Sequence, residues 1–284
     1  MRCGFVGLGA MGAPMARHLN SRGLLAVVGN RTASKAESLA MEFGVRAARD
    51  AADFIDCDLV VLCVSECADV LQNVEELAIG LRPGAIVVDH STVARDTAQR
   101  AAAILATRDI GFLDAPVSGG VEGARNGKLS IMVGGDADVL ERARPVLEAY
   151  AARITHMGGN GAGQATKAVN QVLVAGIAQA VCEGLALGEA LGLDAERLLP
   201  TLGAGAAANW FLDKRGATML RSEFAPGFKC AHLLKDLKIV RAMADAAGIR
   251  HPVIDQSLAD YAQLVAADCG DDDTSALIRL KRGG

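Results

Sequence analysis

Cys3-Gly-Phe-Val reads as a short buried strand, and Gly7, Leu8, Gly9, Ala10, Met11 and Gly12 follow it directly, leading into a helical run to about Arg22. Glycines spaced G-x-G-x-x-G between a strand and a helix leave the chain few options. The first permits a tight turn, the second lets a pyrophosphate approach the backbone, and the third lets helix and strand pack closely. The N-terminus of the helix is then ready to receive negative charge. A second strand at 25–28 comes straight after the helix. This is the opening of a parallel sheet whose strands are joined by helical crossovers, and it carries a dinucleotide site.

The alternation continues. Helix 34–43, strand 59–64, helix 66–78, strand 86–89, helix 94–107 and strand 111–114 follow in turn. A glycine-rich loop, strand 129–133, helix 137–150 and strand 153–156 complete the series. The run at 59–64 is continuously apolar, as a strand covered on both faces should be. Beyond Gly163 the rhythm stops and only helical patterning remains: a long run from Ala165 to about Leu191, a helix opened by Asp194, and others at 210–221, 229–247 and 253–267. We therefore expect an N-terminal Rossmann-type doubly wound domain over 1–163, a long interdomain helix, and an all-α C-terminal domain over 164–284.

From Ala165 to Leu191 there is no proline, and Ala, Leu and Val dominate. Apolar residues fall on every side of the helix this predicts, so it should be buried between two bodies of protein. Lys167 is the only charged residue from Ala165 through Cys182. Burying an ammonium is costly, so such a lysine has either a task or a route to water along its own stem. Asn170, three residues on, shares its face.

Composition excludes several classes. With 51% hydrophobic and 22% charged residues, the chain has ample core-forming material. Its formal charge of −4 comes with no basic stripe, which argues against nucleic acid or an anionic membrane as partner. Seven scattered cysteines without a C-x-x-C pair, and five dispersed histidines, point to reduced thiols and no metal site. The first strand begins almost at once, so no leader is expected, and the longest wholly apolar stretches are too short to span a bilayer. A cytoplasmic protein is expected.

Ligands of open α/β sheets bind beyond the carboxyl ends of the strands. The first glycine turn, Asn30-Arg31-Thr32, Cys63-Val64-Ser65, Ser91-Thr92 and the stretch from Asp114 to Gly127 should all lie at that end. In the last of these, Ser118, Gly119 and Gly120 offer consecutive N–H groups that can form a concavity for an anion such as a carboxylate. The alternative there is a flexible turn ahead of Leu129.

Together these residues resemble the β-hydroxyacid dehydrogenase family, which includes 3-hydroxyisobutyrate dehydrogenase and tartronate semialdehyde reductase. The resemblance rests on Gly7-Leu-Gly-Ala-Met-Gly12, Asp114-Ala-Pro-Val-Ser-Gly-Gly120, Gly161-Ala-Gly-Gln-Ala-Thr-Lys167-Ala-Val-Asn170 and Lys235-Asp236-Leu237, and it covers essentially the whole chain. It implies that Ser118, Gly119 and Gly120 hold a substrate carboxylate, that Lys167 is the catalytic acid/base, and that Asn170 helps fix substrate and lysine. It implies Thr92 beside the nicotinamide ribose and Lys235 as a cofactor contact, along with a homodimer or homotetramer sharing the helical domain. The family often has proline three residues after the threonine, where Arg95 stands here.

The expected reaction is reversible hydride transfer between NADP(H) and a small β-hydroxyacid or its semialdehyde. A free lysine titrates near pH 10.4, so a Lys167 that works as a base needs burial to lower its pKa. The glycine turn and Asn30, Arg31, Thr32, Cys63, Val64, Thr92 and Lys235 are the cofactor candidates. NADP is favoured over NAD because no carboxylate ends the second strand and Arg31 can fork onto a 2′-phosphate. An enzyme similar to 6-phosphogluconate dehydrogenase, an imine reductase and a non-catalytic NADP-binding module of the same fold remain alternatives. Trp210-Phe211 serves either packing or a pocket wall. His232 is read as a supporting or surface residue, and Glu183 and Glu189 as a solvated or inter-subunit edge.

Overall fold

The computed structural model describes residues 1–282. The chain divides into two compact units, Met1–Lys167 and Ala168–Gly284.

The first unit begins with β1 (Cys3–Val6), α1 (Gly12–Ser21), β2 (Leu25–Gly29), α2 (Ala33–Phe43), β3 (Arg46–Ala47), β4 (Leu59–Leu62), α3 (Cys67–Gly80) and β5 (Ile86–Asp89). It continues with α4 (Arg95–Ala106), β6 (Gly111–Asp114), β7 (Val117–Ser118), α5 (Gly120–Arg125), β8 (Leu129–Gly135), α6 (Ala137–Leu147) and β9 (Ala151–Gly158). These strands make one sheet in the order β3-β2-β1-β4-β5-β6-β8-β7, with β9 also paired to β8. From β3 to β6 all pairs are parallel, whereas β6 and β7 each run antiparallel to β8. Strand order reverses at β1, between β2 and β4, and this is the switch point where such sheets take ligands.

The continuous apolar run of β4 has its reason in the two layers it separates. Leu59 and Val61 join one core with Phe5, Met15, Val28, Val88 and Leu113, while Val60 and Leu62 join the other with Val27, Phe54, Val74 and Val87. Alternate residues point to opposite faces, and helices cover both. The strand stops at Leu62, two residues short of the expected end, as Cys63 and Val64 pass into the ligand-end loop. Helix α6 ends at Leu147, short of the expected Tyr150, and β9 takes up the chain at Ala151. The stretch after Ser118 is no flexible turn: β7 pairs with β8, and Gly120 opens a short helix.

Helix α7 (Ala162–Ala190) starts in the first unit and continues through the second. The second unit adds α8 (Ala195–Gly203), α9 (Trp210–Leu220), α10 (Cys230–Ala246), α11 (Pro252–Ala266), a 3-10 turn over Thr274–Leu277 and α12 (Ile278–Lys281). Asp194 caps α8 as its sequence suggested, its side chain accepting from the Glu196 N–H at 3.0 Å. Ala178, Cys182 and Leu185 of α7 meet Phe211, Met219, Leu233, Leu237, Tyr261 and Leu277 in a single core. Asp273, 1% exposed, anchors the end of the chain by accepting from Arg215, from the N–H groups of Gly227 and Phe228, and from Ser275.

The expectation that α7 is buried all round needs correction. Val169, Leu173 and Leu187 are 62%, 61% and 59% exposed, and Ile177 and Leu191 are exposed too. At 100° per residue these side chains fall on one face. By length and composition α7 is also apolar enough to cross a membrane, which no single apolar stretch of the sequence suggested. Its glutamines at 164 and 171 are buried and bonded within the protein, which is how a core helix uses such groups.

Candidate active site

Backbone crowding shapes the first glycine turn. Gly7 has φ +95°, and a side chain there would run into the Cys63 carbonyl; one at Gly12 would run into the carbonyl of Gly7. Leu8 is fully buried and its N–H donates to Asn30 Oδ1 at 2.9 Å, while Asn30 Nδ2 donates to the Thr32 carbonyl at 3.2 Å. Asn30 thus ties the turn after β1 to the end of β2. Gly9 and Ala10 are exposed, and nothing lies within 4 Å of where a Gly9 side chain would stand. The first turn of α1 has neither an acidic residue nor a side-chain cap. An open glycine ahead of an uncapped helix fits a dinucleotide pyrophosphate. Arg31 is 87% exposed at the side chain and lies 3.5 Å from Asp69 Oδ1, whose other oxygen accepts from the Glu66 N–H at the start of α3.

The neighbouring strand ends are laced together. The Val64 N–H donates to Ser91 Oγ at 2.9 Å, and the Ser91 N–H to Asp89 Oδ1 at 2.9 Å. Thr92 is half-buried between Ser91 and Val93. Three residues after Thr92, Arg95 opens α4. The first helical N–H has no intrahelical partner, so arginine serves there where proline is common.

Asp114, fully buried at the end of β6, accepts from the N–H groups of Gly161 and Gln164 at 2.7 and 2.9 Å. Burial pushes its carboxyl above the usual range, and the backbone donors oppose that rise. The carboxylate caps α7 and fixes its start against β6. One turn on, Lys167 is 8% exposed and its Nζ donates to the Val117 carbonyl at 2.9 Å. The next residue is Ser118, then Gly119 at φ +127° and Gly120 at φ +60°, values that favour glycine. His18 of α1 closes the far end of α5, its Nε2 lying 3.1 and 3.0 Å from the carbonyls of Ala124 and Arg125. Within the first unit the structure therefore brings Lys167 to the segment that leads into Ser118–Gly120.

In the second unit Asn170 Nδ2 donates to Gln171 Oε1 at 2.8 Å, and Gln171 Nε2 donates to Asp236 Oδ2 at 2.8 Å. Asp236 Oδ1 lies 3.1 Å from Lys235 Nζ. Two site candidates far apart in sequence, Asn170 and Lys235, are thus linked through a buried glutamine and a buried aspartate. His232 is exposed. Phe211 is core, whereas Trp210 is 53% exposed with the Arg215 guanidinium over its ring. Glu183 is exposed, and Glu189 pairs with Arg282 at 2.8 Å. No His, Cys, Asp and Glu cluster that could hold a metal ion occurs among the described residues.

Three polar residues of this region went unweighed in the sequence. Gln164 and Asp114 lie inside motifs that were read for other members. The third, His90, is 3% exposed, with Nδ1 2.6 Å from the Ala115 carbonyl and Nε2 2.8 Å from the Tyr150 hydroxyl. Nδ1 must donate to a carbonyl, so in the neutral ring Nε2 accepts from Tyr150. Nothing local marks either partner, since both lie 25 or more residues away.

A glycine turn at the switch point of a doubly wound sheet, followed by a helical unit, defines an NAD(P)-binding oxidoreductase class. Residues 2–159 match the profile of the NAD-binding domain of 6-phosphogluconate dehydrogenase, and residues 161–281 match that of the NAD-binding domain of NADP-dependent 3-hydroxyisobutyrate dehydrogenase. An NAD-dependent L-serine dehydrogenase of Pseudomonas aeruginosa is 35% identical, over 97% of this chain and 96% of its own. A Mycobacterium tuberculosis 3-hydroxyisobutyrate dehydrogenase solved with L-serine is 33% identical with a TM-score of 0.90, covering 100% of both chains. Psf3, solved with NADP+ and 2-OPP, is 26% identical with a TM-score of 0.89, over 98% of this chain and 99% of that one. The chain belongs to the NAD(P)-dependent hydroxyacid dehydrogenases of the 3-hydroxyisobutyrate dehydrogenase type.

Proposed function

We propose that this protein reversibly oxidises a small β-hydroxycarboxylic acid to its semialdehyde, with NADP(H) preferred and NAD(H) possible, and with Lys167 as the general acid/base. The observation that carries the reading is the buried Lys167 amine, 2.9 Å from the Val117 carbonyl and one residue before Ser118. A lysine amine keeps N–H donors in both protonation states. The bond to Val117 can therefore hold the nitrogen in one position while a proton comes and goes.

When bound, the nicotinamide accepts the hydride in oxidation and returns it in reduction. The turn at Gly7 to Gly12 would hold the pyrophosphate, with Cys63, Val64 and Thr92 beside it. In oxidation neutral Lys167 takes the hydroxyl proton as the carbon gives up hydride; in reduction protonated Lys167 polarises the carbonyl and gives the proton to the new alkoxide oxygen. Ser118 and the N–H groups at Gly119 and Gly120 would receive the substrate carboxylate, turning binding energy into orientation. Asn170 would contact the substrate hydroxyl, and Lys235 the cofactor. Their common tie through Gln171 and Asp236 supports treating them as one assembly.

The substrate class is supported by the names of the relatives, since 3-hydroxyisobutyrate and L-serine share a carboxylate on the α-carbon and a primary hydroxyl on the β-carbon, and differ in the α-substituent, methyl in one and ammonium in the other. The reading also includes a cytoplasmic setting, supported by seven cysteines that are all free thiols. It includes a homodimer or homotetramer built through the helical unit, supported by the exposed apolar row of α7.

The test is a rate panel with both NADP(H) and NAD(H): 3-hydroxyisobutyrate, L-serine, tartronate semialdehyde, succinic semialdehyde, glyoxylate and a cyclic imine. Turnover of at least one hydroxyacid or semialdehyde is expected. Turnover of the imine alone would replace the reading by an imine reductase, and no turnover with tight NADPH binding would leave a non-catalytic binding module.

A further inference from the structure

Gln164 has no part in the chemistry just described, yet its side chain bonds to the backbone on both sides of Thr92. It is 1% exposed and lies one turn before Lys167 on the same helix. Its Nε2 donates to the Ser91 carbonyl at 2.8 Å, and its Oε1 accepts from the Val93 N–H at 3.2 Å. Both ends of one amide therefore clasp the backbone on either side of Thr92. Ser91 carries the link onward, since its Oγ accepts from the Val64 N–H. On the helix side, Asp114 holds the backbone of Gly161 and Gln164, and Lys167 reaches the Val117 carbonyl.

We infer that Gln164 is a positioning residue that sets the distance between Lys167 and the backbone around Thr92, and so between the acid/base and the hydride-transferring ring. This rests on the roles proposed above for Lys167 and Thr92. Asp114 fixes where the helix starts, but its bonds reach only the N–H groups of the first turn. The side-chain clasp of Gln164 adds the tie to the backbone at Ser91 and Val93. It ties the segments after β4 and β5 to the turn of helix that carries Lys167, and Lys167 is itself bonded ahead of the Ser118 loop. Displacement of a reacting group by about 1 Å can cost about a hundredfold in rate, so a residue that touches neither substrate nor cofactor can still govern turnover.

Two substitutions separate this role from mere packing. Gln164→Met keeps the length and volume but loses both hydrogen bonds. Gln164→Glu keeps both while its carboxyl is protonated, donating to the Ser91 carbonyl and accepting from Val93, and loses the donor when ionised. The measurements are kcat and KM for the fastest member of the substrate panel, NADPH affinity from nicotinamide fluorescence, and amide exchange over residues 91–93 in the protein without ligand. For Gln164→Met the expected result is a kcat lower by about ten- to a hundredfold, with NADPH affinity changed by less than about threefold, and faster exchange at Val93 while β1 and β2 stay protected. Gln164→Glu should recover activity relative to wild type as pH falls. Should Gln164→Met not fold, the pH profile and exchange of Gln164→Glu still decide the matter.

A kcat for Gln164→Met within about twofold of wild type overturns the inference. So does a matched loss of kcat, NADPH affinity and sheet-wide protection, or a Gln164→Glu enzyme whose relative activity does not depend on pH. Lys167→Ala is run alongside. Full activity in that variant sinks the underlying reading, whereas loss of activity there with an unaffected Gln164→Met sinks the positioning role alone.

Discussion

The two ends of α7 invert the usual rule for a helix in opposite ways. Over its first three turns the buried positions are polar: Gln164, Lys167 and Gln171 are 1%, 8% and 1% exposed. Beyond that, large apolar side chains are exposed, with Leu173, Ile177 and Leu187 facing outward alongside the charged Glu183 and Glu189. Each inversion costs free energy in the isolated chain. Buried polar groups must find partners, and exposed leucines gain nothing until something covers them. The first stretch has its partners inside the chain, in Ser91, Val93, Val117 and Asp236. The second has none among the described residues, which is why we propose chemistry for one end and a second copy for the other.

The largest expected effect tests the first assignment. Lys167→Ala should lower kcat by about a hundredfold or more while NADPH binding and folding largely persist. Pre-steady-state measurement of the hydride step gives the comparison free of product release. A hydride step at the wild-type rate would reduce the buried polar end to a structural device.

The second assignment is broken by charge on the outward face. Leu173→Asp should weaken self-association by about a hundredfold, from about 1.5 kcal/mol of lost leucine burial counted twice in a two-fold interface. Light scattering across a dilution series reads it. A wild-type protein that is monomeric throughout, or an assembly indifferent to Leu173→Asp, would leave the exposed row without its partner.

Much of the first unit is legible because each of its signals is local. Cys3–Val6 ends where the glycine turn begins, Ile86–Asp89 follows Pro83-Gly84, and Gly111–Asp114 has the bounds its apolar run suggests. Helix α5 was not legible: Gly120 and Gly123 argue for a turn, and what makes the helix is packing against α1 and a cap from His18. The faces of α7 were hidden for a different reason. Hydropathy reports which side chains are apolar, and only the packed chain reports which of them are covered. Likewise 274–281 carries no strong helical pattern, and its burial depends on Asp273 reaching Arg215 and Gly227 across the unit. At the site, Lys167 stood out as a lone charge in an apolar run. Gln164 did not, because an uncharged amide in a helix sends no signal until its partners at Ser91 and Val93 are known.

Cofactor choice sharpens the contrast between buried and exposed polar groups. Arg31 is nearly free in solvent, and its neighbour Asp69 lies 3.5 Å away. An exposed pair of this kind is worth little, so a 2′-phosphate can take the guanidinium from it. If the phosphate contact contributes roughly 1.5–3 kcal/mol, kcat/KM should favour NADP over NAD by about ten- to a hundredfold. Asn30→Asp with Arg31→Ala should reverse the preference, through repulsion as well as lost attraction. Asn30 also holds Leu8, and Asp keeps that acceptor. A native enzyme that prefers NAD tenfold would overturn this reading of Arg31 and leave Lys167 untouched.

The smallest expected effect asks whether a buried polar group near α7, but outside it, behaves as the first stretch does. His90 lies one residue before Ser91, and burial pushes its imidazole down to about 4, against a weaker upward pull from the Ala115 carbonyl. In the unfolded chain it titrates near 6.5. Between these values the unfolded state binds more protons than the folded one, so stability rises with pH across that window. His90 is thus neutral and stabilising above pH 6.5, and its contribution is lost as pH falls from about 6.5 to about 4. By pH 5.5 the loss should be about 1.4 kcal/mol, or roughly tenfold in the unfolding equilibrium. His251 has the opposite sign. Its hydrogen bond to Asp245 raises its pKa, so its stabilisation is present at low pH and lost as pH rises through the folded value. Denaturation of the wild type alone would mix the two, and the informative quantity is its difference from His90→Gln between pH 7.5 and 5.5. That difference should shrink as pH falls, because the wild type loses stability that the variant never had. A constant difference would mean that His90 titrates alike in both states, and that burial at this strand end is less complete than its contacts with Ala115 and Tyr150 imply.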